Sequence, residues 1–209
     1  ATESYPMYVI AVHELLELNA FLPHQELLER NVLKVYSASE HKDRVIFVSH
    51  QWLGWEHPDS HGVQFEALVG TLRRLLAGTA GHVEPEWLSQ VNGFKLTIKA
   101  SEWAAALPAM WLWVDYISIP QPSIEPAERI GVVVENMKNA VHSIPSYLER
   151  TALILALCPP SIHENTGQLT SYGSWRRRGW CILEKLGATL VRRATEVPLM
   201  LVEGPEGKP

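Results

Sequence analysis

Cysteine is nearly absent from this sequence, since Cys158 and Cys181 are its only two among 209 residues. Two cysteines are too few for the disulfide framework of a small secreted domain. No apolar run approaches the roughly 20 residues of a membrane-spanning helix, and the first residues lack the basic-then-apolar pattern of a secretory signal. We therefore expect a cytoplasmic chain that does not bind membranes.

An excess of positive charge is also missing. The 18 lysines and arginines stand against 23 aspartates and glutamates, for a formal net charge of −5. Nucleic acids and anionic membranes are bound through basic surface, so we expect neither as a partner. The eight tryptophans are unusually many. Most of them are expected in the core, and an indole beside a cleft can stack on a planar ligand.

The arrangement of apolar residues predicts the fold. Four short runs predict buried strands, at Val45–Val48, Trp111–Val114, Ala152–Leu157 and Pro198–Val202. Each run is continuous rather than alternating, which is typical of strands covered on both faces in a parallel sheet. Helical patterns lie between the strands, at Gln64–Ala77, Ala127–Tyr147 and Arg177–Arg193. This alternation predicts an α/β fold in three layers, with a mostly parallel central sheet flanked by helices.

The N-terminal segment has a different pattern. Met7–Leu18 and His24–Leu33 both have the periodicity of short helices, and Pro23 suits the first turn of the second one. We predict that residues 1–44 form a helical extension packed on the α/β domain. That domain then covers residues 45–203, and residues 204–209 form a tail.

Polar residues follow the predicted strands and mark a candidate site. Ser49, His50, Gln51 and Trp52 come after the first strand, and Asp115 and Tyr116 come after the second. In an open parallel sheet, ligands bind outside the carboxyl ends of the strands. The topology is therefore expected to bring these six side chains to one edge of the sheet.

The last predicted helix carries a carboxylate, Glu184. On a helical wheel Glu184 falls beside Trp180 and Val191, at the edge of the apolar stripe, and away from Arg178 and Lys185. A carboxylate in that position needs either a partner or a function. Two interpretations stay open at this point: a buried ion pair with a neighbouring arginine, or a functional site.

Several motifs carry a family resemblance. The spacing of Trp180, Cys181 and Glu184 resembles the catalytic-glutamate motif of plant-type TIR domains, and the strand Val45–Val48 with Ser49 after it resembles the first TIR strand and its serine-bearing loop. The segment 113–121, Trp-Val-Asp-Tyr-Ile-Ser-Ile-Pro-Gln, is closer to the signature of the heterokaryon-incompatibility (HET) domain. Also similar to the HET pattern are the Glu128-Arg129 pair with Met137, and the ending Arg178-Gly179-Trp180 followed by Glu184. The loop at residues 49–59 matches neither family, and Ser174-Trp175 has no assigned counterpart.

This resemblance implies a TIR-like, flavodoxin-like fold, cleavage of the nicotinamide–ribose bond of NAD, and a role in immune or cell-death signalling. Glu184 is then the catalytic residue, and NAD is the substrate rather than a cofactor. The nicotinamide ring of NAD is a cationic pyridinium and departs as a neutral molecule. No general acid is therefore needed, and one carboxylate facing the ribose suffices. Ser49, His50 and Gln51 are expected to line the nicotinamide end or the phosphates. We expect Trp52 or Trp180 to stack on a ring, Asp115 or Tyr116 to hold ribose hydroxyls, and Arg178 to meet the diphosphate.

The alternative is a non-catalytic TIR-like domain that signals by self-association. The resemblance implies a homo-oligomer, with the proline-rich loop at 116–130 as an assembly or gating element. Two other chemistries have little support. A thiol enzyme at Cys181 lacks a nameable histidine partner. The spacing of His50, His57 and His61 matches no familiar zinc pattern, so we expect no metal.

Overall fold

A computed structural model describes residues 3–80, 98–179 and 199–204 of the chain. Six strands form one mixed sheet: β1 (Tyr8–Ala11), β2 (Leu33–Val35), β3 (Val45–His50), β4 (Trp111–Val114), β5 (Leu153–Leu157) and β8 (Leu199–Val202). Their order across the sheet is β2-β1-β4-β3-β5-β8. A separate two-stranded hairpin consists of β6 (Ser161–Ile162) and β7 (Leu169–Thr170).

The four strands predicted from apolar runs form the parallel part of the sheet. β3 lies between β4 and β5, and β8 pairs with β5, all in parallel. Every residue of β3 and of β5 is buried, in keeping with their continuous apolar sequences. β3 continues to His50, two residues beyond the predicted end at Val48. The strand itself therefore places His50 at the edge of the sheet.

Helices connect and cover the strands. They are α1 (Val12–Leu16), α2 (His24–Glu29), α3 (Ala38–His41), α4 (Val63–Leu76), α5 (Ala100–Ala106), α6 (Asp115–Ser118), α7 (Ala127–Leu148) and α8 (Tyr172–Trp175), with single 3₁₀ turns at Leu107–Ala109 and Pro122–Ile124. In the described part of the chain, no helix combines the length and apolarity needed to cross a membrane.

The two longest helices of the described residues lie on opposite faces of the sheet. Ile46 and Val48 of β3 pack in one core cluster with Leu68 of α4, whereas Phe47 packs in a second cluster with Tyr147 of α7. Alternate residues of a strand point to opposite faces, so β3 is covered on both sides. This arrangement confirms an α/β fold with a mostly parallel sheet.

The prediction of helices alone in the N-terminal segment was wrong. Residues Tyr8–Ala11, assigned to a helix from 7 to 18, form the strand β1, which pairs antiparallel with both β2 and β4. The second predicted helix ends at Glu29, and Leu33–Val35 form β2 instead. The run Tyr-Val-Ile-Ala is apolar on both faces, and its pairing with β4 satisfies its backbone donors and acceptors. Residues 8–35 therefore extend the sheet as well as packing on it.

Helix α7 passes through Pro145 without a break. Pro145 lies in the last turn of a helix that ends at Leu148, so the hydrogen bond that its missing N–H removes is close to the end. Nearby side chains bond to backbone carbonyls in this region: Ser143 Oγ donates to Asn139 O at 2.8 Å, and Thr151 Oγ1 donates to Tyr147 O at 3.0 Å.

A buried histidine ties α2 to the strand ends. The ring of His24 is 1% exposed, and its Nδ1 lies 3.0 Å from the Ile117 carbonyl oxygen, to which it donates. Nε2 lies 3.3 Å from the hydroxyl of Tyr5 and accepts from it. Burial lowers the pKa of His24 to about 4, because the bond to Ile117 only partly offsets the loss of hydration.

We expect this histidine to make the fold sensitive to mild acid. Unfolded His24 takes up its proton near its ordinary pKa of 6.5 and folded His24 only near 4, so the free energy of unfolding falls as pH decreases between these values. The full loss is on the order of 3 kcal/mol. Urea unfolding at pH 7 and pH 4.5 measures it, and His24→Gln should flatten the dependence. His13→Gln, at a side chain that is 73% exposed, is the matched control; equal slopes for wild type and His24→Gln would contradict the expectation.

Candidate functional site

A cavity of about 420 Å³ opens at the carboxyl ends of β3 and β4. Its polar lining consists of His50 at the end of β3, Asp115 immediately after β4, His163 in the β6–β7 hairpin, and Arg178 beyond α8. These residues are far apart in the sequence. The parallel pairing of β3 with β4 is what brings the first two together.

Asp115 and His50 form a partly buried ion pair in the lining of the cavity. His50 Nε2 lies 2.7 Å from Asp115 Oδ1, with the His50 side chain 1% exposed and the Asp115 side chain 32% exposed. His50 Nδ1 lies 2.6 Å from Gln64 Oε1. The amide of Gln64 is oriented by its other bond, because its Nε2 donates to the Gln51 carbonyl oxygen at 2.7 Å. Both ring nitrogens of His50 therefore face acceptor oxygens, an arrangement that the doubly protonated ring satisfies.

The carboxyl group of Asp115 is held in its ionised form. Burial raises its pKa, but the positive charge of His50 and the hydrogen bonds from His50, Trp52 and the Tyr116 amide together lower it below its ordinary value. The Tyr116 amide nitrogen lies 2.6 Å from Oδ1. With so many donors already bound, Asp115 acts as an anchor for its neighbours and leaves little room for a ribose hydroxyl.

Trp52 is the neighbour that this anchor fixes most directly. Its indole Nε1 donates to Asp115 Oδ2 at 2.9 Å, and its ring meets that of Tyr116 edge-on with centroids 5.8 Å apart. His57 packs on the same tyrosine at 4.9 Å. Since the indole is held by a charged hydrogen bond and a packed ring, it offers the cavity a rigid flat wall.

The loop that follows β3 is hydrogen-bonded to the β6–β7 hairpin beside the cavity. The Glu164 amide donates to the Leu53 carbonyl oxygen at 2.7 Å, and the Trp55 amide donates to Asn165 Oδ1 at 2.9 Å. A Cβ atom at Gly54 would lie 3.0 Å from Glu164 Oε2 and 3.0 Å from the His57 carbonyl oxygen. Glycine at position 54 is therefore what lets the two segments meet so closely.

The remaining walls are apolar. Ile119, Val141 and Ile144 line one side, the last two from α7, and the indole of Trp55, which is 72% exposed, stands on the rim. A cavity with aliphatic and indole walls and a few fixed polar groups suits a flat heterocyclic ligand.

The structure brings together four of the predicted site residues: His50, Trp52, Asp115 and Arg178 line the cavity. The other three predicted site residues that the structure describes do not line it. Ser49 Oγ accepts a hydrogen bond from Trp175 Nε1 at 3.0 Å, Gln51 Oε1 accepts one from Ser174 Oγ at 2.8 Å, and Tyr116 is 4% exposed. The Ser174-Trp175 pair, unassigned from sequence, thus docks α8 onto the end of β3. Trp180, Cys181 and Glu184 lie outside the described residues.

Several residues that line the cavity, and one that bonds to its lining, were missed. Gln64 alone had a signal in the sequence, because it lies four residues before Leu68 on the apolar stripe of α4 and is 2% exposed. Gly54, Trp55, His163, Val141 and Ile144 belong to loops, a hairpin and a helix that only tertiary packing brings together, and no local pattern marks them.

The histidines considered for zinc are divided between two cavities. His50 lines the first, whereas His57 and His61 line a second cavity of about 530 Å³ on the other side of the loop, with Asp59 and Glu66. Within residues 3–80, 98–179 and 199–204, no group of three or more His, Cys, Asp or Glu side chains is placed to hold a metal ion.

Comparison of the chain with protein-family models, with curated proteins and with solved structures found no match.

Proposed function

We propose that this chain is a cytoplasmic NAD glycohydrolase of TIR-like and HET-like type, which releases nicotinamide with Glu184 as its catalytic residue. The observation that carries the proposal is the cavity at the ends of β3 and β4. There the fixed indole of Trp52, the ionised Asp115 and the guanidinium of Arg178 line one space of about 420 Å³. NAD is the substrate, and the proposed reaction needs no further cofactor.

The topology supports this assignment. The four parallel strands lie across the sheet in the order β4-β3-β5-β8. When only these four are counted along the chain, the order is second, first, third, fourth. Flavodoxin-like sheets have this order and bind their ligand at the carboxyl end of the first strand, where the order reverses. His50, the last residue of β3, lies at the corresponding point. We therefore propose flavodoxin-like, TIR-like layering for this domain.

The lining supports a dinucleotide with a cationic ring. A pyridinium is attracted to an aromatic face, which Trp52 presents in a fixed orientation. Arg178 carries donors suited to a diphosphate. Asp115 is saturated by His50, Trp52 and the Tyr116 amide, so its proposed task is to hold Trp52 in place and to leave ribose contacts to other groups.

Glu184 supplies the chemistry in this proposal. Bond breaking places positive charge on the ribose, and a partly desolvated carboxylate facing that ribose stabilises the charge. Since nicotinamide departs neutral, a single carboxylate is sufficient. Arg178, six residues earlier in the sequence, lines the cavity.

A self-association domain is the second candidate. Ile124, Ile130 and Val132 are 47%, 39% and 67% exposed, and all lie in or beside the proline-rich loop named for assembly. Apolar side chains grouped at the surface favour protein–protein contact. Homo-oligomerisation is compatible with either function, so the two candidates separate on nicotinamide release and not on assembly.

The cavity can be tested by filling it. Val141→Trp, on the α7 wall, is expected to lower the rate of nicotinamide release from NAD by about tenfold or more, because the indole occupies the space of the ligand. Release is measured by chromatography at high protein concentration and after crosslinking into oligomers. Val35→Trp, the same exchange at a residue that is 50% exposed on β2, is the control and should match wild type.

Two results would count against the proposal. A wild-type chain that releases no nicotinamide in any assembled state leaves the self-association function as the better account. A Val141→Trp variant with the wild-type rate would show that NAD is cleaved somewhere other than in this cavity.

A further inference from the structure

We propose that His163 is a ligand-binding residue whose Nε2–H, together with Arg178, forms the anion-binding end of the cavity and takes the phosphate groups of the ligand. The proposal rests on the proposed function only for the choice of NAD-related probes. The site itself is defined by two side chains that line the same cavity from different elements.

The position of His163 is rigid. It begins the tip of the β6–β7 hairpin, is 8% exposed, and its amide donates to the Gln168 carbonyl oxygen at 2.9 Å. The next residue, Glu164, bonds through its amide to Leu53. The backbone that carries the imidazole is therefore held both by its own hairpin and by the loop that follows β3.

The hydrogen bonds of the ring define which nitrogen faces a ligand. The Asn165 amide lies 3.3 Å from Nδ1, and a backbone N–H can only donate, so Nδ1 is the acceptor. The neutral ring then carries its hydrogen on Nε2. No group in the described part of the chain bonds to Nε2, which is also not among the fully buried polar atoms that lack partners. Nε2 is therefore at least partly accessible, on a ring that lines the cavity.

The charges around the cavity favour an anion at this end. The carboxylate of Asp115 is paired with His50. Arg178 lines the cavity and forms no ion pair with any carboxylate among the described residues. Glu164, the nearest acid in sequence, accepts a hydrogen bond from the Ser60 hydroxyl and does not line the cavity. Among the described residues, this leaves the Arg178 guanidinium without a carboxylate partner and the His163 Nε2–H without a hydrogen-bond partner. Phosphate oxygens bind well to this pair of donors.

Two substitutions at one position separate the proposed role from a structural one. In His163→Asn, the amide oxygen can replace Nδ1 as acceptor for the Asn165 N–H, while the donor at the Nε2 position is lost. In His163→Gln, the longer side chain can return a donor to the Nε2 position, while the acceptor at Nδ1 is lost. A ligand role is therefore sensitive to the first exchange and a purely structural role to the second.

The experiment measures binding of ADP-ribose, pyrophosphate and nicotinamide riboside by calorimetry to wild type, His163→Asn, His163→Gln and Arg178→Gln. We expect His163→Asn and Arg178→Gln each to weaken ADP-ribose binding by about tenfold. Both should keep the wild-type melting temperature and the wild-type affinity for nicotinamide riboside, which has no phosphate. His163→Gln should bind ADP-ribose within about threefold of wild type and melt at a lower temperature.

If wild type binds pyrophosphate as well as ADP-ribose, the subsite accepts free phosphates as well as nucleotides, and the proposal is supported. Unchanged ADP-ribose affinity in His163→Asn, or no binding of ADP-ribose by wild type, overturns it. Nicotinamide release, measured in parallel, keeps the two proposals apart. ADP-ribose binding that depends on His163, without any nicotinamide release, supports the subsite and contradicts the hydrolase. Nicotinamide release with an unchanged KM in His163→Asn supports the hydrolase and contradicts the subsite.

Discussion

Exchange of Glu184 for glutamine is expected to abolish nicotinamide release, with a loss of about a thousandfold or more in the turnover rate. The amide keeps the size and hydrogen-bonding reach of the side chain but carries no negative charge. It therefore stabilises the positive ribose of the transition state far less. Turnover is measured with assembled protein, since activity of TIR-like enzymes is expected to depend on oligomerisation. Glu135→Gln, at an exposed residue of α7, is the control.

The same variant distinguishes the two interpretations of Glu184. If the carboxylate were only half of a buried ion pair, Glu184→Gln would lower the melting temperature and leave turnover unaffected apart from loss of folded protein. If it is catalytic, the melting temperature and the oligomeric state stay as in wild type and turnover disappears. Full activity in Glu184→Gln would remove the residue from the mechanism altogether.

The second large effect is expected at Asp115. Replacement by alanine should lower the free energy of unfolding by about 3 kcal/mol, because the buried ring of His50 loses its carboxylate and the Trp52 indole loses its acceptor. Urea unfolding at neutral pH measures this change. NAD binding should weaken as well, since the Trp52 wall is no longer held, and Trp52→Phe should weaken it with a smaller loss of stability.

The effect of Asp115 depends on pH in a defined direction. Its folded pKa is lowered, so its stabilising contribution is present above the ordinary value of 3.8 and is lost as pH falls through the lower folded value. Wild type and Asp115→Ala should therefore converge in stability below pH 3.8. A double-mutant cycle with His50→Gln isolates the charge pair, and strictly additive losses would contradict the coupling described above.

The central strands were predictable because their apolar runs are local and unambiguous. β4 has the predicted bounds, Trp111–Val114, and β3 differs only by its extension to His50. Helix α4 agrees with the prediction to within one residue at its start, Val63, because its apolar stripe is visible in the sequence. The run at Tyr8–Ala11 was ambiguous by contrast, since four apolar residues next to a helical pattern suit either structure. Pairing with β4 decided it.

The amino-acid pattern was enough to predict which residues at the ends of the strands form the site, because parallel pairing must bring the residues after β3 and β4 to one edge. His50, Trp52 and Asp115 were found in this way. The tertiary structure was needed to show how these side chains bond to one another. It also showed that Ser49 and Gln51 anchor α8, and that His163 and Val141 belong to the lining of the cavity. The reason is physical: the positions of the strands follow from the pattern of apolar residues along the chain, whereas a cavity wall follows from packing between distant segments, which no local pattern encodes.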